Sequence, residues 1–273
     1  MLRLQGDNGW WLVTHPDHAH LAGEFASQWG NDIFAPPEPR AHVLRGIYAH
    51  DDGWSARDAK PVITKQGKPA AFSVELVGTY SAFEEIDLEA YLAVRRRAVQ
   101  LMVQQDAYAA ILISMHTYNL LTARADRSTI REDHLPWLDV FLVEQLTLQR
   151  ALREQLLAEG KLALEHITLD ALTENFKLLQ ACDNLSLLSC VDFDGEATLL
   201  WPQKTRDGGA CEVVVTRLAE RSFRLAPYPF ASPRIGFKLR ARFVRGLEFE
   251  SSEALQACFD AAKVEELEVV VSA

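Results

Sequence analysis

Several signals that would settle a chemistry at once are missing from this chain. Its four cysteines, Cys182, Cys190, Cys211 and Cys258, form no Cys-x-x-Cys pair, which removes zinc knuckles and thioredoxin-type redox motifs. There is no Gly-rich phosphate loop, Walker motif or Gly-x-Ser-x-Gly elbow, so P-loop nucleotide hydrolases and α/β-hydrolases are excluded. No run approaches the roughly 18 apolar residues needed to span a bilayer. The opening residues, Met1-Leu2-Arg3-Leu4-Gln5-Gly6-Asp7, lack the basic start and apolar core of a secretory leader. Basic charge is in deficit: 28 Lys and Arg against 38 Asp and Glu give a formal −10, the opposite of a dedicated nucleic-acid binder. These absences predict a cytoplasmic protein with reduced thiols, and neither nucleic acid nor membrane as a partner. They leave a homo-oligomer open.

What is present suffices for a sizeable core, since 48% of the 273 residues are apolar and 24% charged. Apolar residues recur at helical spacing over 15–29, 41–51, 87–104, 107–123, 135–159 and 168–190. Thr168 reads as an N-cap and Gly160 as a stop. Residues 55–80 show little periodicity and read as an irregular connection. Beyond Asp192 the period changes to that of strands over 197–201, 211–215, 237–243 and 267–271, with one short helix over 253–262. The expected fold is therefore mainly α: a helical bundle over 1–190, followed over 191–273 by a small antiparallel β (α+β) appendage with one helix.

The informative residues are histidines and aspartates. His15, His18 and His20 open the first helix, His50-Asp51-Asp52-Gly53-Trp54 closes the second, His116 sits mid-helix, and Asp183 interrupts the apolar face of the last long helix. A buried charge on such a face is costly unless paired or bound to a metal. Asp183 thus needs a partner, either a divalent cation shared with neutral imidazoles or an unseen arginine. Mixed imidazole and carboxylate ligation suits zinc, iron or manganese better than calcium. His116 reads equally well as a satisfied core histidine. Asp52 reads either as a carboxylate orienting a ligating imidazole or as a solvated helix end. His42, His134 and His166 read as surface or packing residues.

A histidine on the first helix (His18-Ala19-His20-Leu21-Ala22), an adjacent His50-Asp51 pair, and Asp183 in Gln180-Ala181-Cys182-Asp183-Asn184-Leu185 resemble the HD-domain metal-dependent phosphohydrolase superfamily. The resemblance implies an HD-domain-like bundle over 1–190 with His18, His50, Asp51 and Asp183 as metal ligands. It also implies a second ion at His116 if His15 or His20 joins it. Pro16-Asp17-His18-Ala19, Trp29-Gly30, His50-Asp51-Asp52-Gly53-Trp54, Ser114-Met115-His116 and Pro227-Tyr228-Pro229-Phe230 are similar, through most of the chain, to a bacterial family catalogued as domain-of-unknown-function family 3891, which brings no established activity.

Such a site implies a metal-dependent hydrolase acting on a small anionic phosphoester (a phosphomonoester, a phosphodiester or a nucleotide) with one or two divalent ions (Zn, Mn, Fe or Ni) per chain. Asp51 would ligate and orient the attacking water, and Asp52 is the candidate general base. The rival expectations are an HD-type di-iron oxygenase and a non-catalytic metal- or ligand-binding protein. Arg95-Arg96-Arg97 reads as a solvated helix face. Lys238, Arg240 and Arg242, alternating with apolar residues, read as one face of a strand that binds an anion, docks on acidic helices, or faces solvent.

Overall fold

The computed structural model describes residues 1–71, 88–124 and 127–273. The chain opens with a hairpin, β1 (Leu2–Gly6) and β2 (Gly9–Val13), turning through Asp7-Asn8 between the paired Gly6 and Gly9. A Cβ at Gly9 would collide with the Val244 carbonyl of the neighbouring strand, so only glycine permits this close approach. Helix α1 (His15–Gln28) follows, capped by Thr14, whose side chain accepts from Asp17 N at 3.1 Å, with Pro16 in its first turn. Helix α2 (Arg40–Tyr48) ends at Tyr48, two residues short of His50. The 3-10 turn Asp52–Trp54 then leads into α3 (Ser55–Asp58). Of the expected irregular connection, residues 72–80 lie outside the described residues, as does residue 87, where the next helix was expected to begin.

Helices α4 (Leu88–Val103), α5 (Ala107–Asn119), α6 (Leu135–Glu159) and α7 (Leu169–Ser189) complete the helical part. Gly160 closes α6 at φ +61°, and the Thr168 side chain accepts from Ala171 N, both as their residue types predict. α5 is buried on every side from Tyr108 to Ser114, which matches its nearly unbroken apolar sequence. His116 is carried into the interior with it.

The strand region holds β3 (Glu196–Thr198), β4 (Gln203–Lys204), β5 (Ala210–Cys211), β6 (Val214–Ala219), β7 (Ser222–Ala226), β8 (Arg234–Arg245), α8 (Ser252–Ala261) and β9 (Val264–Ser272). The expectation of a helical bundle with a small antiparallel appendage is overturned. The chain is 51% helix and 22% strand, and seven strands form one curled sheet in the order β1-β2-β8-β9-β7-β6-β3. The N-terminal hairpin is part of that sheet through β2 and β8, from Gly9↔Arg245 to Leu12↔Arg242. The sheet is also mixed, because β7 and β9 run parallel. The β2–β8 pairing joins segments more than 200 residues apart in sequence and the β7–β9 pairing segments 48 apart, so no local pattern announces them.

Packing explains the alternation along β8. Phe237, Leu239 and Ala241 are buried against the helices, with the Phe237 ring 4.7 Å from that of Phe25 on α1. Val244 points to the other face, where Trp10, Leu12, Leu255 and Phe259 bury it under α8. Burying side chains of this size contributes about 1.5–3 kcal/mol each. The basic strand face lies beside an acidic one, since Lys238, Arg240 and Ala241 pair with Glu268, Glu266 and Glu265 of β9. Lys238 is bonded to Glu266 at 2.5 Å. No helix among the described residues is long and apolar enough to cross a membrane.

Candidate metal centre

The packing of α1, α2, α5 and α7 brings the four sequence segments together. His18 lies on α1, His50 and Asp51 in the turn after α2, His116 on α5 and Asp183 on α7, each no more than 6% exposed. His18 Nε2 is 3.2 Å from Asp51 Oδ2 and 3.8 Å from Asp183 Oδ1, and His50 Nε2 is 3.3 Å from that same Asp183 oxygen. Two sets of donor atoms converge closely enough to hold a cation: His18, His50 and Asp51, and His50, His116 and Asp183. Donors held at roughly 2.1 Å from one ion stand about 3.0–3.4 Å apart at angles between octahedral and tetrahedral. The separations of 3.2 and 3.3 Å fit that span.

Proton bookkeeping sharpens the picture. Ser186 Oγ donates its only proton to the Asp183 carbonyl at 2.9 Å, so it must accept from His18 Nδ1–H at 2.7 Å. His18 Nε2 is then turned toward two carboxylates, 3.2 Å from Asp51 Oδ2 and 3.8 Å from Asp183 Oδ1. His50 Nδ1–H likewise donates to the Ile47 carbonyl at 2.8 Å, and its Nε2 is buried with no hydrogen-bond partner. Asp183 Oδ1 stands 3.3 Å from it. The His116 Nδ1 contacts the Gln180 amide nitrogen, while Gln180 Oε1 is buried and orphaned. Turning that amide lets Oε1 accept from Nδ1–H and leaves His116 Nε2 bare as well. Imidazoles tethered at Nδ1 with Nε2 aimed at a common point are what metal ligation requires.

The electrostatics draw positive charge to the centre of the cluster. Burial alone would pull the His50 pKa down, but the carboxylates of Asp51 and Asp183 raise it to about 9. Burial opposes ionisation of Asp183, yet His50, His116 and His18 bring it to about 2. Burial likewise opposes ionisation of Asp51, and Arg95 with His50 holds it well below the carboxylate range. Burial keeps His116 neutral, with a pKa of about 3. Two carboxylates thus face one guanidinium and a His50 ring that favours its protonated form, and a divalent cation bound at Nε2 would displace that proton.

Other expected residues fall elsewhere. Asp52, at the start of the 3-10 turn, is half-buried, and its carboxyl has no hydrogen-bond partner among the described residues. No imidazole of the cluster directs Nδ1 at it, because those bonds go to Ser186, Ile47 and Gln180. Burial raises its pKa, with Asp51 adding to the effect and His50 opposing it. His15 is buried against Asp58 at 2.9 Å and His20 is exposed beside Tyr48; neither belongs to a converging set.

Arg95 contradicts its reading as a solvated residue. Arg96 and Arg97 do face outward, but Arg95 is 5% exposed and bonded to Asp51 Oδ1 at 2.5 Å. The signal was available: Leu88, Tyr91, Leu92, Val99 and Met102 make the buried stripe of α4, and Arg95 falls on it, as Asp183 does on α7. Gly53 makes this meeting feasible, because a Cβ there would collide with the Val94 carbonyl and stand 2.7 Å from Ala98 N. Without a side chain at Gly53, the Asp51 turn lies directly on α4.

No curated protein and no solved structure matches the chain. The family described as Protein of unknown function (DUF3891) matches residues 1–246. With most of its length covered by that match, the chain belongs to this family.

Proposed function

We propose that the chain is a metal-dependent hydrolase acting on a phosphoester. The observation carrying this reading is the convergence of the buried Nε2 atoms of His18 and His50, each ring tethered through Nδ1, on the carboxylates of Asp51 and Asp183. The raised pKa of His50 marks a demand for positive charge at this point, and a divalent ion would displace that proton and serve all four groups at once. The order His18, His50-Asp51, Asp183 along the chain is similar to that of the HD superfamily, and that likeness supplies the phosphoester class. The likeness concerns the ligand order and not the seven-stranded sheet.

His18, His50, Asp51, Asp183 and His116 hold the ion, which when bound supplies a water of lowered pKa and a positive charge facing the phosphoryl oxygens. One ion per chain is the better-supported count. His50 belongs to both donor sets, but with Nδ1–H committed to Ile47 it has one lone pair to offer. Asp51, held by Arg95 through Oδ1, would offer Oδ2 to the ion. Asp52, half-buried and with no hydrogen-bond partner for its carboxyl among the described residues, would serve as the general base toward that water, and burial raises its pKa.

Elemental analysis of the purified chain, followed by phosphoester turnover assays with added manganese, tests the reading. One zinc, manganese or nickel ion per chain with hydrolysis is expected. Two irons per chain with visible absorbance would replace the reading by the oxygenase. Absence of metal uptake would leave a non-catalytic protein.

A further inference from the structure

We propose that Arg95 is the residue that grips the substrate's phosphoryl oxyanion beside the metal, an inference that rests on the hydrolase reading. Its guanidinium is 5% exposed and enclosed by aromatic faces, 5.4 Å from the Trp54 ring and 5.1 Å from the Tyr91 ring. A guanidinium carries five N–H donors. Nε–H donates to Tyr91 Oη at 3.1 Å, and one N–H of Nη1 donates to Asp51 Oδ1 at 2.5 Å. Nη2 has no partner among the described residues. Neutralising Asp51 would need one point charge and no more. A planar fork held by aromatic walls, with most of its donors unspent, is instead a receptor for an oxyanion of matching geometry.

The position of Asp51 adds to the argument. Its two oxygens reach in different directions: Oδ1 to Arg95 and Oδ2 to the point where His18 and the other donors converge. A single carboxylate thus spans guanidinium and ion. A phosphoryl group also offers two oxygens on one central atom, and it can span the same two partners alongside, one oxygen on the ion and one on Nη2. Arg95 then contacts the substrate directly and withdraws charge from the oxygens not bound to the ion. The positive charge of Arg95 and a divalent ion together exceeds the two carboxylates by one, so the site attracts an anion.

Titration of inorganic phosphate into the full chain, by calorimetry, with and without bound manganese, tests this. Arg95→Met removes the fork. Arg95→Lys keeps a charge for Asp51 while losing the planar donors, and it serves if the methionine variant fails to fold. Both variants are expected to weaken phosphate binding at least tenfold, with Arg95→Lys retaining its manganese. Unchanged phosphate affinity in Arg95→Lys, or no phosphate binding by the wild type in either state, overturns the proposal. If the wild type takes up no manganese, the hydrolase reading falls by itself. Phosphate binding to the metal-free protein, lost in the variants, then still decides for Arg95.

Discussion

Ser186→Ala separates a metal centre from an ordinary buried polar cluster. The Ser186 hydroxyl is fully buried, accepts from His18 Nδ1–H at 2.7 Å and donates to the Asp183 carbonyl at 2.9 Å. Its removal leaves the His18 Nδ1–H buried without an acceptor, which costs about 1–3 kcal/mol of stability. The same loss frees the ring to rotate and makes Nε2 a poorer donor. Removing the partner that orients a ligand lowers metal affinity about 10–100-fold, or about 1.4–2.8 kcal/mol. Ser189→Ala is the matched control. Ser189 lies three residues further along α7, is equally buried, and spends its hydroxyl on the Leu185 carbonyl at 2.9 Å. Metal affinity is measured by chelator competition, and stability by thermal melting, where 1 kcal/mol moves the midpoint by about 2–4 °C in chains of about this size. Both variants should lose some stability, but Ser186→Ala alone should lose metal affinity. Equal metal affinity in the two would refute the reasoning, because His18 would then not be a ligand oriented from α7.

His50→Ala should abolish metal uptake, since both donor sets include His50. His116→Ala should retain one ion per chain at reduced affinity, and elemental analysis that finds an ion in His50→Ala rules out this assignment. Gly53→Ala should destabilise by about 1–3 kcal/mol, because its Cβ meets the Val94 carbonyl; an unshifted melting midpoint would mean α4 yields freely. Burial holds His15 at about 4 against an ordinary 6.5, with Asp58 opposing, so on acidification the unfolded chain binds a proton first. Stability should be complete above pH 6.5 and fall by up to about 3 kcal/mol on the way to pH 4. Urea midpoints across that range measure it, and His15→Gln should flatten the slope.

The helices were legible because their signals are local. Thr168 and Gly160 act as the cap and stop their residue types predict, and the long apolar period of α6 gave its bounds. The sheet was not legible. Leu2–Gly6 and Gly9–Val13 carry a hairpin pattern around Asp7-Asn8, but a lone hairpin is marginal in water. Its stability comes from β8, over 200 residues away. β7 is five residues long and joins β9 in parallel, a pairing that only the assembled tertiary structure specifies. The mainly helical expectation failed where long-range pairing decides the structure.

The cluster was legible in proportion to how out of place each residue looked. Asp183 stood out because a carboxylate between Leu179 and Leu187 on an apolar helix has no cheap explanation. Arg95 interrupts the stripe of α4 in the same way, but the adjacent Arg96 and Arg97, which do face outward, concealed it. Reading each arginine against its own i±3 and i±4 neighbours, and not as a run, would have separated them. Ser186 and Gln180 gave no signal, since their role lies in which imidazole nitrogen they tether, and that depends on α1 and α5 meeting α7. Buried charges have to be counted as a set. Asp183 alone asks for any cation; Arg95 supplies one charge, but its bond goes to Asp51. The negative charge left at Asp183 faces His50, whose pKa the two carboxylates raise to about 9, so a cation is called for at that point. That demand, met by a proton on His50 or by a divalent ion that displaces it, is the ground of the proposed metal centre.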